Sequence, residues 1–216
     1  MNIEKKLSHI WIGPKPPPLK WMNTWREKHP DWEYSVFTDK MLRSRTWKNQ
    51  HLIEEYYRRQ SWCGVSDLIR YELLYENGGF IAEADMICLE ETTELFTSPP
   101  DHAYTCFENE KDRPNFIQPI FACNPGNEFV GMLIETLHQL KPSDLHYQPF
   151  RSTGNEFLSK FVPEWKHKLT IWPSHWFIPQ FYTHESERYQ GPDKIYADHK
   201  WGSTGVGRSV PYSEGM

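Results

Sequence analysis

The 216-residue sequence predicts a single α/β domain with a sheet flanked by helices. Three observations lead there. The chain opens strand, helix, strand between Leu7 and Phe37. An apolar helix pattern over Gly64–Glu76 is stopped by Gly78-Gly79 and followed at once by the β-patterned stretch Phe80–Leu89. A further strand, turn and helix run from Phe116 to Leu140. A length of 216 residues with 38% hydrophobic content supports one sizeable core and leaves a second full domain a tight fit. No internal repeat or low-complexity tract interrupts it.

Leu7–Gly13 reads as a short apolar strand ended by glycine, and Pro14, Pro16, Pro17 and Pro18 then forbid regular structure. Trp21, Met22 and Trp25 recur at helical spacing within Lys20–Lys28. After His29-Pro30-Asp31 the stretch Trp32–Phe37 alternates as a second strand. Thr46–Gln60 is a polar helix. On the helix Gly64–Glu76, Val65, Leu68, Ile69 and Leu73 share one side and Asp67, Arg70 and Leu74 the other. Gly78-Gly79 ends it, as glycine does just past a last turn. Phe80–Leu89 follows as a strand in which Ile81, Glu83, Asp85 and Ile87 share one face and Ala82, Ala84, Met86 and Cys88 the other. Phe116–Cys123 is a further strand, Asn124-Pro125-Gly126-Asn127 a turn, and Glu128–Leu140 a helix. Beyond Lys141 the pattern weakens, and Gly202, Gly205 and Gly207 predict a flexible loop at the end.

Glu83 and Asp85 carry the strongest chemical signal. Two carboxylates on one face of an apolar strand repel each other and are costly to bury without a counter-charge. A hard divalent cation, Mg²⁺ or Mn²⁺, supplies it with few protein ligands, several waters and substrate phosphates. A strand end at which both face solvent or pair with arginine satisfies the same spacing. Asp67 and Arg70, three apart on one helix, are either a surface ion pair or a face lining the same cleft, where the guanidinium meets phosphate or sugar. His175, His184 and His199 are isolated histidines of the tail.

Composition narrows the class. A formal net charge of −5 gives no basic face for phosphate backbones, so nucleic-acid binding is excluded. Neither a glycine-rich phosphate loop nor a nucleophile motif is present. The aromatic residues, 10 Trp, 11 Tyr and 12 Phe, serve the core and provide flat surfaces for bases and sugars. Cys63, Cys88, Cys106 and Cys123 are too scattered for a zinc site and read as free thiols of a reducing compartment. The opening MNIEKKLSHIWIG lacks a signal-peptide apolar region, and no run of 18 apolar residues occurs, so the expectation is a soluble cytoplasmic protein.

Together these segments resemble a known family. His9-Ile10-Trp11-Ile12-Gly13 through Trp25, Pro30-Asp31 and Asp39 is similar to the amino-terminal segment of the DXD-containing sugar transferases of glycosyltransferase family 32. That family includes yeast-type initiating mannosyltransferases, and the glucosylating domains of large clostridial toxins are similar to it. Ser66-Asp67-Leu68-Ile69-Arg70-Tyr71, Gly78-Gly79 and Glu83-Ala84-Asp85 resemble its central signature, and Phe116–Leu137 its next strand, turn and helix. The resemblance implies a GT-A (Rossmann-like) single domain with a central mixed, mainly parallel sheet. Residues 1–90 would form the nucleotide-binding half, and 91–216 the acceptor half and C-terminal loop.

It further implies transfer of a hexosyl group from a nucleotide diphosphate sugar, UDP-sugar before GDP-sugar, to a hydroxyl acceptor such as a glycan in polysaccharide biosynthesis. The cofactor would be Mn²⁺ or Mg²⁺ held by Glu83, Asp85 and His199. Asp67, Arg70, Asp85 and Gln118 would be catalytic, and Trp11, Ile12, Ser66, Asp67, Arg70, Glu83, Ala84, Asp85 and Trp201 would bind the nucleotide sugar. A loop around His199–Gly207 would close over the diphosphate. Two positions depart from the pattern: Glu83 stands where the family has Asp, and Ile81 where it has an aromatic residue. A module that binds sugars or nucleotides without catalysis is the alternative.

Overall fold

The structure, a computed structural model, describes residues 2–216. Eight strands are present: β1 (Lys6–Trp11), β2 (Glu33–Thr38), β3 (Gly79–Ile81), β4 (Met86–Cys88), β5 (Ala103–Cys106), β6 (Phe121–Cys123), β7 (Leu169–Trp172) and β8 (Ala197–His199). The main helices are α1 (Leu19–Lys28), α3 (Gln50–Arg58), α4 (Trp62–Asn77) and α5 (Glu128–His138). Between and after them lie the short α2 (Asp39–Leu42), α6 (Pro149–Ser152), α7 (Asn155–Ser159) and α8 (Val162–Trp165). Six strands form one sheet in the order β2-β1-β3-β6-β5-β7, while β4 and β8 form a separate antiparallel pair. Neighbours pair parallel except on either side of β6, which alone runs against the rest.

Side chains alternate across the sheet as a period of two requires. Ile10, Ile81, Ala103, Phe121, Cys123 and Leu169 pack under α3, α4 and α5. Leu7, Phe80, Tyr104, Ala122 and Trp172 face the opposite way, against Trp25 of α1 and Met86 of β4. Both faces are covered, giving three layers. No helix of the described residues is long and apolar enough to cross a membrane. The four cysteines are free thiols, as expected.

The strand-helix-strand opening, the glycine pair and the helices over residues 62–77 and 128–138 match the sequence reading to within a few residues. Four features differ. The expected strand Phe80–Leu89 is broken: β3 stops at Ile81, residues 82–85 form a turn closed by Met86 N–H donating to the Glu83 carbonyl at 3.2 Å, and β4 resumes in another sheet. Glu83 and Asp85 therefore stand on a turn, not on one face of a strand. The expected strand from Phe116 shrinks to β6, and the helix from Thr46 begins only at Gln50. Strands β5 and β7 and helices α6–α8 had no legible pattern. The carboxy-terminal segment is also more regular than its glycines suggested, since β8 pairs with β4 in the register Met86 to His199.

Candidate functional site

The site forms where α4 returns along β3. Gly78 ends the helix at φ +62° and Gly79 starts the strand at φ +88°, a reversal that only glycine makes without strain. Arg70 lies eight residues before Gly78, about 12 Å of helix at roughly 1.5 Å per residue. Glu83 lies four residues past Gly79, about 13 Å of extended chain at roughly 3.3 Å per residue. Two residues thirteen apart in sequence thus reach the same height, and the Arg70 guanidinium donates to Glu83 Oε1. This height is the carboxyl end of β1 and β3, where open α/β sheets place their ligands.

Asp67 sits one turn before Arg70 and is buried. Its Oδ2 accepts the Thr153 hydroxyl at 3.0 Å, and Thr153 in turn takes the Tyr71 hydroxyl on its carbonyl at 2.6 Å. Burial pushes the Asp67 carboxyl up to about 7, against the pull of the Arg70 guanidinium. Arg70 is 3% exposed, and its Nε has no partner. A buried cation with an unused N–H between two carboxylates is prepared to meet a further anion or hydroxyl.

Asp85 is buried at the end of the turn. Its Oδ1 lies 3.4 Å from His199 Nε2, and its carbonyl accepts the Lys200 N–H at 2.8 Å. His199 Nδ1 accepts the Trp201 N–H at 3.2 Å. The Trp201 N–H on Nδ1 leaves Nε2 as the ring nitrogen facing Asp85. The three expected metal ligands do not form one cluster. Glu83 is engaged by Arg70, Asp85 by His199, and no cluster of three His, Cys, Asp or Glu suited to a metal occurs among the described residues. Asp85 alone still fits a hard cation, since Mg²⁺ and Mn²⁺ sites commonly use one or two carboxylates with water and phosphate.

Of the remaining expected residues, Trp11 ends β1 with its indole N–H on the Lys15 carbonyl at 2.7 Å and its ring edge-on to Tyr212 at 4.9 Å. Ile12 and Ala84 are buried, and Ser66 is half-buried on α4. Trp201 is packed against Phe181, Tyr182 and His199 rather than presented to a ligand. Gln118 is buried and donates to Glu108 at 3.4 Å. Beside Tyr212 a cavity of about 650 Å³ opens between Lys15-Pro16 and the segment Gly202–Met216, within the size range of small-molecule pockets. A larger hollow of about 790 Å³ lies along α1 and β2 and is lined by none of these carboxylates. Sequence reasoning missed Thr153, Tyr212 and Glu108. The first two lie in segments without periodicity, whereas Glu108 could have been found as the first charge after the apolar run Ala103–Phe107.

A sheet covered on both faces thus carries Asp67, Arg70 and Glu83 together at the carboxyl ends of β1 and β3. Residues 19–100, under half of the chain, match the family model described as glycosyltransferase sugar-binding region containing DXD motif. The matched span contains Asp67, Arg70, Glu83 and Asp85 and ends before Gln118 and His199. The chain is 23% identical over 171 residues to Subversion of eukaryotic traffic protein A of Legionella pneumophila; that match covers 64% of the chain and 25% of the relative, so the chain spans about a quarter of the relative's length. Among solved structures, the PaToxG glycosyltransferase shares the fold with a TM-score of 0.60 at 17% identity, over 75% of this chain and 70% of that one. The ligand-free glycosyltransferase domain from the YGT toxin does so at 0.53 and 10%, over 78% and 80%.

Proposed function

We propose that the protein transfers a hexosyl group from a nucleotide diphosphate sugar, UDP-linked before GDP-linked, to a hydroxyl acceptor. The observation that carries this reading is the convergence of Asp67, Arg70 and Glu83 with the Asp85–His199 pair at one end of the sheet. Arg70 and Asp67 offer opposite charges to a sugar, whose hydroxyls both donate and accept. Tyr212, which Trp11 meets edge-on, lines the adjoining cavity with aromatic surface for a base. Asp85, steadied by His199, would hold Mn²⁺ or Mg²⁺, which offsets the charge of the departing diphosphate. The acceptor is a glycan or another hydroxyl. Since one structural neighbour is a toxin domain, a protein side-chain hydroxyl belongs among the acceptors assayed.

Metal-dependent hydrolysis of UDP-glucose, UDP-N-acetylglucosamine and GDP-mannose tests the reading directly. Wild-type protein is expected to release nucleotide diphosphate from one of them with Mn²⁺ and not with EDTA, and Asp85→Asn to lose roughly a hundredfold or more of that rate. No turnover of any donor, or near-normal rates in Asp85→Asn, would sink it. His199→Gln, which keeps an N–H donor, is expected to retain more activity than His199→Ala. Equal loss in both would point instead to an imidazole bound to the metal.

A further inference from the structure

The loop joining β5 to β6 carries a carboxylate that donor binding leaves unused. Glu108 is 8% exposed, yet all three of its contacts are long. Its Oε1 accepts from Gln118 Nε2 at 3.4 Å and from Asn155 Nδ2 at 3.2 Å, and its Oε2 faces Arg113 at 3.3 Å. A carboxylate offers about four acceptor positions, and charge-assisted bonds that compensate burial run about 2.7–2.9 Å. Glu108 has none of that length. Burial accordingly raises its carboxyl above the ordinary range, only partly countered by Arg113.

The groups around Glu108 lead straight back to the donor site. Asn155 lies two residues beyond Thr153, whose hydroxyl holds Asp67. Between them, Gly154 passes so close that a Cβ there would lie 3.1 Å from Asp67 Oδ2 and 3.0 Å from Phe150 Cα. The strap Thr153-Gly154-Asn155 thus joins the two carboxylates, Asp67 on the β1–β3 side and Glu108 on the β5 side. Beyond Glu108 the loop is open to solvent at Lys111–Asn115, an approach for a second substrate.

We propose that Glu108 accepts the hydrogen bond of the attacking hydroxyl, water in donor hydrolysis and the acceptor's own hydroxyl in transfer, and thereby aims its oxygen at the sugar. This rests on the glycosyl-transfer reading above. As the attacking oxygen bonds to the anomeric carbon, the nucleotide diphosphate leaves with the electron pair of the broken C–O bond and the hydroxyl proton passes to the Glu108 carboxylate. The hydroxyl also fills the acceptor capacity that Gln118, Asn155 and Arg113 leave open.

The experiment is steady-state hydrolysis of whichever donor the wild-type protein turns over, with Mn²⁺, in Glu108→Gln and Asn155→Ala. UDP or GDP affinity and thermal melts are measured alongside. Glu108→Gln keeps shape and removes charge. Its kcat is expected to fall roughly tenfold or more while donor KM, nucleotide affinity and melting temperature hold. Asn155→Ala, which loosens Glu108 without changing its charge, should lower kcat by a smaller factor, again at constant KM. If Glu108→Gln does not fold, the Asn155→Ala result decides. Unchanged kcat, or a raised KM at constant kcat, overturns the assignment by showing a spectator or a donor-binding group. A wild-type protein that turns over no donor overturns the transfer reading itself and this assignment with it.

Discussion

At the scale of single residues, Arg70 is the pivot, because it sets a positive charge between Asp67 and Glu83. Removing one member of a buried ion pair leaves the other uncompensated, at a cost of about 3–5 kcal/mol. Arg70→Ala is therefore expected to lower stability by about that amount in urea unfolding. Arg70→Lys keeps the charge and should lose far more activity than stability, since an ammonium cannot reproduce the planar fork. A melt that falls in step with activity for the lysine variant would contradict a substrate role. Glu83 gains a second meaning from this pairing. Its extra methylene, relative to the family's Asp, is what reaches Arg70, so Glu83→Asp is expected to weaken both turnover and stability rather than act as a silent reversion. The residues themselves were legible in the sequence, because Ser66-Asp67, Arg70 and Glu83-Ala84-Asp85 stand close together. The sequence did not show who pairs with whom. The pairing depends on the return path of the chain, and arginine pairing and cation binding satisfied the spacing equally.

At the scale of elements, the Gly78-Gly79 reversal decides whether α4 and β3 bring their charges level. A Cβ on Gly79 would lie 2.6 Å from the Lys6 carbonyl oxygen of β1, and φ of +88° disfavours any side chain. Gly79→Ala is expected to cost at least about 1–3 kcal/mol from backbone strain alone, read as a shift in the urea midpoint. Gly126→Ala provides the contrast. Its φ is also positive, but nothing stands within 4 Å of the added carbon, so the loss there should be smaller. The glycine pair was legible because a helix stop followed by a strand has few other solutions. The broken strand was not. Alternating apolar residues through Phe80–Leu89 fit one strand as well as two, and only the partner strands, β6 for the first part and β8 for the second, separate them. Strands β5 and β7, of four residues each, leave too short a pattern to read alone.

At the scale of the whole molecule, His9 binds the layers together. It is fully buried on β1, its ring edge-on to Trp25 and Tyr34, and Nδ1 lies 3.0 Å from the Ala82 carbonyl at the start of the acidic turn. Burial lowers its pKa from 6.5 to about 4. Above pH 6.5 the ring is neutral folded or unfolded, so its stabilising contribution is intact. As pH falls from 6.5 to about 4 the unfolded chain takes up a proton that the folded one refuses, and stability is lost. The loss amounts to about 3 kcal/mol at roughly 1.4 kcal/mol per pH unit. The difference in unfolding free energy between wild type and His9→Phe is expected to shift by about that much between pH 7 and pH 4. Groups common to both proteins cancel in that comparison. A pH-independent difference would show that His9 titrates normally. The α/β class was readable from the strand-helix-strand opening and the helix-glycine-strand unit. Residues 141–216 were not, because they fold as short helices and turns whose burial depends on distant partners such as Trp25 and Met86.

The pairing of β4 with β8 sets an order of events during synthesis. Asp67, Arg70 and Glu83 lie in the first 83 residues and can meet once α4 and β3 have left the ribosome. Asp85 acquires its partner only when His199 arrives, more than a hundred residues later. A nascent chain stalled before β8 would have the charged array on α4 and β3 but leave Asp85 without its histidine neighbour, so making residues 197–199 is the step that completes the candidate site.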